Sequence, residues 1–266
     1  MNILKKNIAP ITDQAWKEIN EQAGRIFKIY LSGRQFLDID GPNGMDMGAV
    51  STGHLIIPGN QKKEGINWGI REVMPLLEIR KPFELDIMEI DNINRGALDA
   101  DIEPMEDAAK EIALFEEKVI YEGFGEANIK GLEKSSSAKA TLLPDDPAEF
   151  LAIISEELGK FMKEGVEGPY SLILSEDKMK VLNSISKGYP VEKQLRKMIN
   201  GKIITQFAND KSYLLSERGG DYELVLGQDM SIGYDAHDTR KVKLYFTESF
   251  TVRVLSPEAI KVFSAK

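Results

Sequence analysis

Histidine is the side chain that most often moves protons or binds metals near neutral pH, and this chain has two, His54 and His237. Neither belongs to a His-Glu-x-x-His or Glu-x-x-His pattern, and they are far apart in sequence. The chain has no cysteine, which excludes disulfides and thiolate chemistry. A serine beside one of the histidines is the remaining route to a hydrolase. We predict that both histidines face solvent or cap a turn, and that the chain is not an enzyme.

Acidic residues offer one further candidate, the cluster of Asp86, Glu89 and Asp91. Apolar residues are interleaved with them, which predicts solvated carboxylates beside a buried row. Residues 38–41 (DIDG) begin like a calcium loop but lack its later glutamate, which favours a turn. Residues 123–125 (GFG) end a predicted helix and lack the third glycine of a dinucleotide site. We therefore predict no bound metal and no cofactor.

Charge and composition limit the possible partners. The 266 residues include 43 acidic and 34 basic side chains, a net charge of −9. This balance disfavours nucleic acid and anionic membranes, which bind basic surfaces. The first residues lack the apolar run of a secretory signal, and no segment is apolar enough to predict a membrane span. We expect a cytoplasmic protein with a sizeable core.

Apolar periodicity predicts an α+β protein, in which helices and strands mix without a βαβ repeat. Three long helices are predicted, each beginning at a capping residue or proline and ending at a glycine. They run from Thr12 or Asp13 to Gly33, from Pro104 to Gly123, and from Asp146 and Pro147 to Gly165.

Three other segments have distinctive patterns. Residues 41–69 are rich in glycine and have no clear periodicity, which predicts a functional arm or a mobile loop. Alternation over Phe83, Leu85 and Ile87 predicts a strand. Residues 218–220 (RGG) predict a tight turn, and the apolar residues at 224, 226, 230 and 232 predict a hairpin with one buried face.

An ordered series of short motifs extends over almost the whole chain. It comprises residues 7–10 (NIAP) followed by Trp16, residues 33–36 (GRQF), 89–92 (EIDN) with Arg95-Gly96, 165–170 (GVEGPY), 189–190 (YP), 216–234 (SERGGDYELVLGQDMSIGY) and 246–250 (FTESF). In its motifs and in their order, this series resembles the encapsulin shell proteins.

Encapsulins share the fold of tailed-phage major capsid proteins, so the resemblance implies a P-domain, an A-domain and an extended E-loop. We expect the E-loop to pair with a neighbouring copy, because its backbone has no obvious partner in its own chain. The implied boundaries are 1–46 for the N-terminal helix and start of the P-domain, 47–72 for the E-loop, 73–133 for the P-domain with its spine helix, 134–220 for the A-domain, and 221–266 for the strands that return to the P-domain and the C-terminus.

The function implied by the resemblance is assembly of a shell. About 60 copies would close an icosahedron around a cargo enzyme, which docks through a short C-terminal peptide. The implied cargo is a ferritin-like protein that oxidises and stores iron, with a dye-decolourising peroxidase as the second candidate. The implied cargo-binding residues are Phe27, Leu31, Arg34, Asp38 and Ile232. For Phe27 and Leu31, the alternative is that they belong only to the protein core.

The resemblance also implies that the loop of residues 186–193 forms a pore for small ions at the five-fold axis. The alternative is that this loop is an ordinary connector between two helices. Some family members bind flavin on an aromatic residue; Met88 occupies that position here, so flavin is not predicted. Two other functions stay open, a phage or prophage capsid subunit and a hydrolase or bacteriocin. The implied pore residues are Ser186, Lys187, Gly188, Tyr189, Pro190, Glu192 and Lys193.

Overall fold

The computed structural model describes residues 3–59, 65–186 and 188–264. The helices in these ranges are α1 (Asp13–Tyr30), α2 (Ile87–Asn94), α3 (Glu103–Glu122), α4 (Gly131–Ser135), α5 (Pro147–Lys163), α6 (Glu176–Leu182) and α7 (Val191–Ile199). The strands are β1 (Asp38–Asp40), β2 (Ala49–Ile56), β3 (Ile70–Pro75), β4 (Leu77–Asp86), β5 (Thr141–Leu142), β6 (Tyr170–Ser175), β7 (Ile185–Ser186), β8 (Tyr189–Pro190), β9 (Ile203–Gln206), β10 (Ser212–Ser216), β11 (Tyr222–Leu226), β12 (Ser231–His237), β13 (Lys241–Val254) and β14 (Ile260–Ser264).

The three long helices begin where the sequence predicts. The Thr12 hydroxyl accepts the Ala15 N–H at 3.3 Å at the start of α1, and the Asp146 carboxylate accepts two N–H groups at 3.0 Å at the start of α5. Gly123 ends α3 with φ +82, a conformation that favours glycine. α1 ends at Tyr30, and residues 33–35 continue as a separate 3-10 turn.

A first sheet is organised around the long strand β13. β4 pairs with one edge of β13 over ten residues, and β12 and β11 share the other edge; β1 extends the sheet in parallel beside β11. α1 and α3 pack against each other, and α3 also contacts β4 and β13. This arrangement buries one face of β13, including Phe246 and Phe250.

A second sheet has the order β5-β14-β10-β6-β9. It lies with α5, α6 and α7, and Phe150 and Phe161 of α5 are fully buried. The strand β14 brings residues 260–264 into this sheet, where β10 pairs with it antiparallel. The second sheet therefore uses residues from both sides of β11–β13 in the sequence.

The glycine-rich segment contains a hairpin of its own. β2 and β3 pair antiparallel from Ala49↔Pro75 to Ile56↔Ile70, with an irregularity between Ser51 and Leu55. This pair forms a two-stranded sheet, so the expectation that the segment lacks partners in its own chain is wrong for these strands. The hairpin escaped prediction because both of its faces are largely exposed, and no apolar alternation marks it.

Three other local predictions differ from the structure. β10 and β11 flank the turn at Gly219-Gly220, but β10 belongs to the second sheet and β11 to the first, so they form no hairpin. The strand through Phe83 and Leu85 ends at Asp86, whose carboxylate accepts the Met88 N–H at 2.7 Å and starts α2. Residues 38–40 are the strand β1 where the sequence favoured a turn.

No helix among the described residues is both long and apolar enough to cross a membrane.

Candidate cargo and pore surfaces

The predicted apolar cargo residues lie where α1 crosses the first sheet. The Phe27 ring meets the Phe246 ring edge-on, with centroids 5.4 Å apart. Ile232 is the strand partner of Phe246, so their side chains share one face of the sheet. Leu31 follows Phe27 by one helical turn and is 6% exposed, and Ile232 is 3% exposed. Phe27 is half-buried and keeps more surface than either of them.

Arg34 lies beside this contact, on the 3-10 turn that follows α1, and three carboxylates surround its guanidinium. Its Nε and Nη2 each donate to Glu116 of α3 at 3.0 Å, a bidentate pair. Nη1 donates to Asp229 at 2.7 Å, and Nη2 also donates to Glu248 of β13. The side chains of Glu116 and Glu248 are fully buried. The guanidinium of Arg34 is therefore bound inside the chain.

Burial lowers the pKa of Arg34, but attraction to Glu116 and Glu248 and the hydrogen bond to Asp229 outweigh it and raise that pKa, so the guanidinium stays charged. Burial, and then the nearby charge of Glu116, raise the pKa of Glu248 well above its ordinary value. The cluster thus holds one firmly charged cation and at least one carboxyl that resists ionisation.

Glu117, the next residue of α3, fastens the backbone between α1 and the 3-10 turn. Its Oε1 accepts the Gly33 N–H at 2.8 Å, and its Oε2 accepts the Ser32 hydroxyl. The Ser32 hydroxyl lies 2.6 Å from the hydroxyl of Tyr121, whose ring stacks on Tyr213. Burial raises the pKa of Glu117 to about 8, although the hydrogen bonds from Ser32 and Gly33 act to lower it.

Asp38 lies apart from the other predicted cargo residues. It is an exposed residue of β1, and its carboxylate accepts the Gly220 N–H at 2.6 Å. It lines a cavity of about 250 Å³, where Lys202 and Glu217 form an ion pair of 2.8 Å. The structure therefore does not bring Asp38 to the contact between α1 and the first sheet.

The predicted pore loop is a short hairpin braced by the following helix. β7 and β8 pair through Ser186 and Tyr189, and the Gln194 side chain of α7 donates to the carbonyl oxygens of both, at 3.2 and 3.1 Å. Glu192 pairs with Arg196 at 2.9 Å. Gly188, Tyr189, Pro190, Glu192 and Lys193 are exposed, Ser186 is buried, and Lys187 lies outside the described residues.

The residues considered for chemistry do not converge. His54 is exposed in the arm, and His237 Nδ1 lies 2.6 Å from the Tyr234 hydroxyl. Glu89 accepts the Asp101 N–H at 3.0 Å, and Asp86 caps α2. Within the described ranges, no group of three or more histidine or acidic side chains is placed to hold a metal ion.

Sequence reasoning missed Glu116, Glu117 and Glu248, although a signal was present. Glu116 and Glu117 lie among the apolar residues of α3, and Glu248 continues the inward alternation Val242, Leu244, Phe246 on β13. A charged residue at an inward position is rarely buried without a partner. That pattern marks a buried cluster, but it does not identify the partner.

Solved structures with a similar fold are capsid-type assemblies. A virus-like particle from Pyrococcus furiosus matches with a TM-score of 0.68 and 19% identity, over 93% of this chain and 98% of that chain. The capsid of Myoviridae phage XM1 matches with a TM-score of 0.60 and 11% identity, over 89% and 92% of the two chains. The fold is that of the phage major capsid proteins, as the sequence motifs implied.

The sequence itself is more closely related to shell proteins. The family profile Linocin_M18, described as encapsulating protein for peroxidase, matches residues 1–251. Type 1 encapsulin shell proteins of Rhodococcus erythropolis and Mycobacterium tuberculosis are 42% and 41% identical, over 98% and 97% of this chain and 98% of each relative. The corresponding protein of Rhodospirillum rubrum is 37% identical over 97% of this chain and 95% of that relative. The chain belongs to the encapsulin shell protein family.

Proposed function

We propose that this chain assembles into a closed icosahedral shell of about 60 copies that encloses a cargo enzyme in the cytoplasm. The single observation that carries the proposal is the apolar surface of the arm, residues 49–75. Seven of its large apolar side chains are more than half exposed in the single chain, whereas most such residues elsewhere are buried. They are Leu55, Ile56, Ile57, Ile66, Trp68, Ile70 and Val73.

In solution, these exposed apolar side chains need a second surface against which they are buried. Contiguous exposed apolar surface on a soluble protein marks an interaction site. The arm also has free strand edges, because β2 and β3 pair only with each other among the described residues. A second copy of the chain meets both needs, since it supplies apolar surface and backbone hydrogen bonds. Repetition of the same contact around symmetry axes closes a shell.

We propose that the cargo is an enzyme, and that its short C-terminal peptide binds at the C-terminal end of α1. The family description supports a peroxidase, and the ferritin-like protein expected from the sequence motifs is the second candidate. Of the three predicted apolar cargo residues, Phe27 keeps the most surface for a peptide. Leu31 and Ile232 would support Phe27 from beneath. The shell itself contributes enclosure, and the chemistry belongs to the cargo.

The assembly test uses the full chain. Light scattering with negative-stain microscopy should show hollow particles of about 1.8 MDa, the mass of about 60 copies of 29.8 kDa. Ile57→Asp should yield folded but smaller species, because Ile57 is 66% exposed and its replacement disturbs only contacts between copies. Ile57→Leu keeps the apolar surface and should assemble normally. A monomeric wild-type chain at high concentration would contradict the proposal.

The cargo test uses two fluorescent proteins, one carrying the C-terminal segment of a peroxidase and one that of a ferritin-like protein. Each is co-expressed with the shell, and co-purification is measured. Phe27→Ala should reduce loading, whereas Ile29→Ala, on an exposed position of the same helix, should not. Equal loading of wild type and Phe27→Ala in intact shells would remove Phe27 from the cargo surface without affecting the assembly proposal.

A further inference from the structure

The cluster around Arg34 holds more acid than one cation can balance. Glu116, Asp229 and Glu248 all contact the guanidinium, so full ionisation leaves a local charge of −2. Glu116 and Glu248 share the same nitrogen, Nη2, and both side chains are fully buried. Two ionised carboxylates that bind the same nitrogen atom and are shielded from solvent repel each other strongly.

One oxygen of the cluster has no hydrogen-bond partner. Glu248 Oε1 accepts from Arg34, but its Oε2 is buried and unpaired among the described residues. A buried carboxylate oxygen without a donor is costly, whereas a protonated oxygen becomes a donor itself. Glu116 and Glu248 both bind Nη2 of Arg34, which brings the Glu116 carboxylate beside Glu248 as an acceptor for such a proton. A proton on this pair explains both the excess charge and the unpaired atom.

We propose that Glu116 and Glu248 share one proton, that this proton locks the end of α1 onto the first sheet, and that alkaline solution releases the lock. The proton joins α3 to β13, and Arg34 joins both to the turn after α1. Loss of the proton places a second buried negative charge between α3 and β13. The structure relieves the repulsion when α1 and its turn move away and admit water.

Other charged groups face the cluster and leave its sign unchanged. Asp229 adds negative charge from the loop between β11 and β12, and Glu117 adds more from α3 when it is ionised. Glu78 and Arg80 of β4 line the small cavity of about 50 Å³ beside Glu248 and carry opposite charges. From the N-terminal segment, the uncharged Ile3 and Leu4 also line this cavity.

The direction of the pH effect follows from the folded state holding a proton that the unfolded chain releases. Such a group stabilises the folded state at low pH. This contribution is lost as the pH rises through the pKa that the group has in the folded state. Glu248→Gln mimics the protonated form, because its amide N–H₂ donates to Glu116 at every pH. This variant should therefore keep α1 locked where the wild-type chain releases it.

Infrared spectroscopy of the assembled wild-type protein tests the proton directly. A protonated carboxyl absorbs apart from a carboxylate, and this band should be present near neutral pH and disappear on alkalinisation. Glu248→Gln or Glu116→Gln should each remove this component of the band. Glu111→Gln, an exposed position on the same helix, is the matched control and should leave the band unchanged. Persistence of the whole band in both cluster variants overturns the shared proton.

Hydrogen exchange of α1, measured by mass spectrometry, tests the lock. At a given pH, wild type and Glu248→Gln have the same intrinsic exchange chemistry, so a difference reports structural opening. Above the pH at which the carboxyl band disappears, α1 should exchange about tenfold faster in wild type, the factor that one pKa unit represents. Below that pH the two should match. Equal exchange throughout overturns the lock, and Glu116→Gln provides the same readout if Glu248→Gln does not assemble.

Discussion

Glu117→Gln should remove a large part of the pH dependence of stability while it keeps the local structure. Glutamine has the shape of glutamate, so its carbonyl oxygen accepts the Gly33 N–H and its amide donates to the Ser32 hydroxyl. The hydroxyl of Tyr121 remains beside Ser32 as before. The variant therefore differs from wild type mainly in having no ionisable group at this position.

The magnitude follows from the pKa of Glu117, which burial raises from 4.5 to about 8. The folded state keeps a proton that the unfolded chain has released in this interval, so stability falls as the pH rises from about 4.5 to about 8. One pKa unit corresponds to about 1.4 kcal/mol, which gives a loss of about 5 kcal/mol. For a chain of this size, that is a decrease of about 10 °C in the melting temperature.

The assay compares apparent melting temperatures of assembled wild type and Glu117→Gln at about pH 4 and about pH 9, just outside the two ends of that interval. The variant-minus-wild-type difference should increase by about 10 °C between them, whatever its sign at the lower pH. Glu111→Gln, exposed on the same helix, should show a constant difference. A constant difference for Glu117→Gln as well would refute the assignment of a buried, proton-holding carboxyl.

Two further substitutions test other parts of the fold. Gly123→Ala should cost about 3 kcal/mol or more and reduce the yield of shells, because φ is +82 and a Cβ would overlap the carbonyl of Ile129; the melting temperature and particle yield measure this. Gln194→Ala removes both side-chain bonds to the carbonyl oxygens of Ser186 and Tyr189. Intact shells of this variant should admit small ions at a changed rate, measured by stopped-flow with an enclosed dye, and an unchanged rate would separate this loop from ion entry.

Local chemistry made the helices predictable. Thr12 and Asp146 are capping residues whose hydrogen bonds depend on a few neighbours in sequence, and the structure places both at helix starts. The glycine at 123 ends α3 for an equally local reason, its positive φ. The capsid-type fold, by contrast, was inferred from resemblance, because periodicity alone led no further than the α+β class.

Long-range partners account for most of what the sequence did not predict. The turn at Gly219-Gly220 resembles a hairpin locally, yet β10 and β11 pair with strands that are distant in sequence and lie in different sheets. The β2–β3 hairpin of the arm was not predicted because most of its apolar residues are exposed in the single chain, so their spacing does not report on a core. Likewise, nothing near Arg34 in sequence identifies Glu116 or Glu248 as its partners.

The burial of these acids indicates what Arg34 does in the molecule. A buried ion cluster contributes little net stability compared with well-packed apolar residues, but its geometry is exacting. The contact of Phe27 with Phe246 is apolar and would tolerate sliding of α1 along the sheet. The guanidinium of Arg34 does not tolerate such sliding, because its bidentate pair with Glu116 and its hydrogen bond to Glu248 form in one position of α1 only. Arg34 thus fixes the placement of α1 and Phe27, and we propose that it acts on the cargo surface only through that placement, since its own donors are engaged inside the chain.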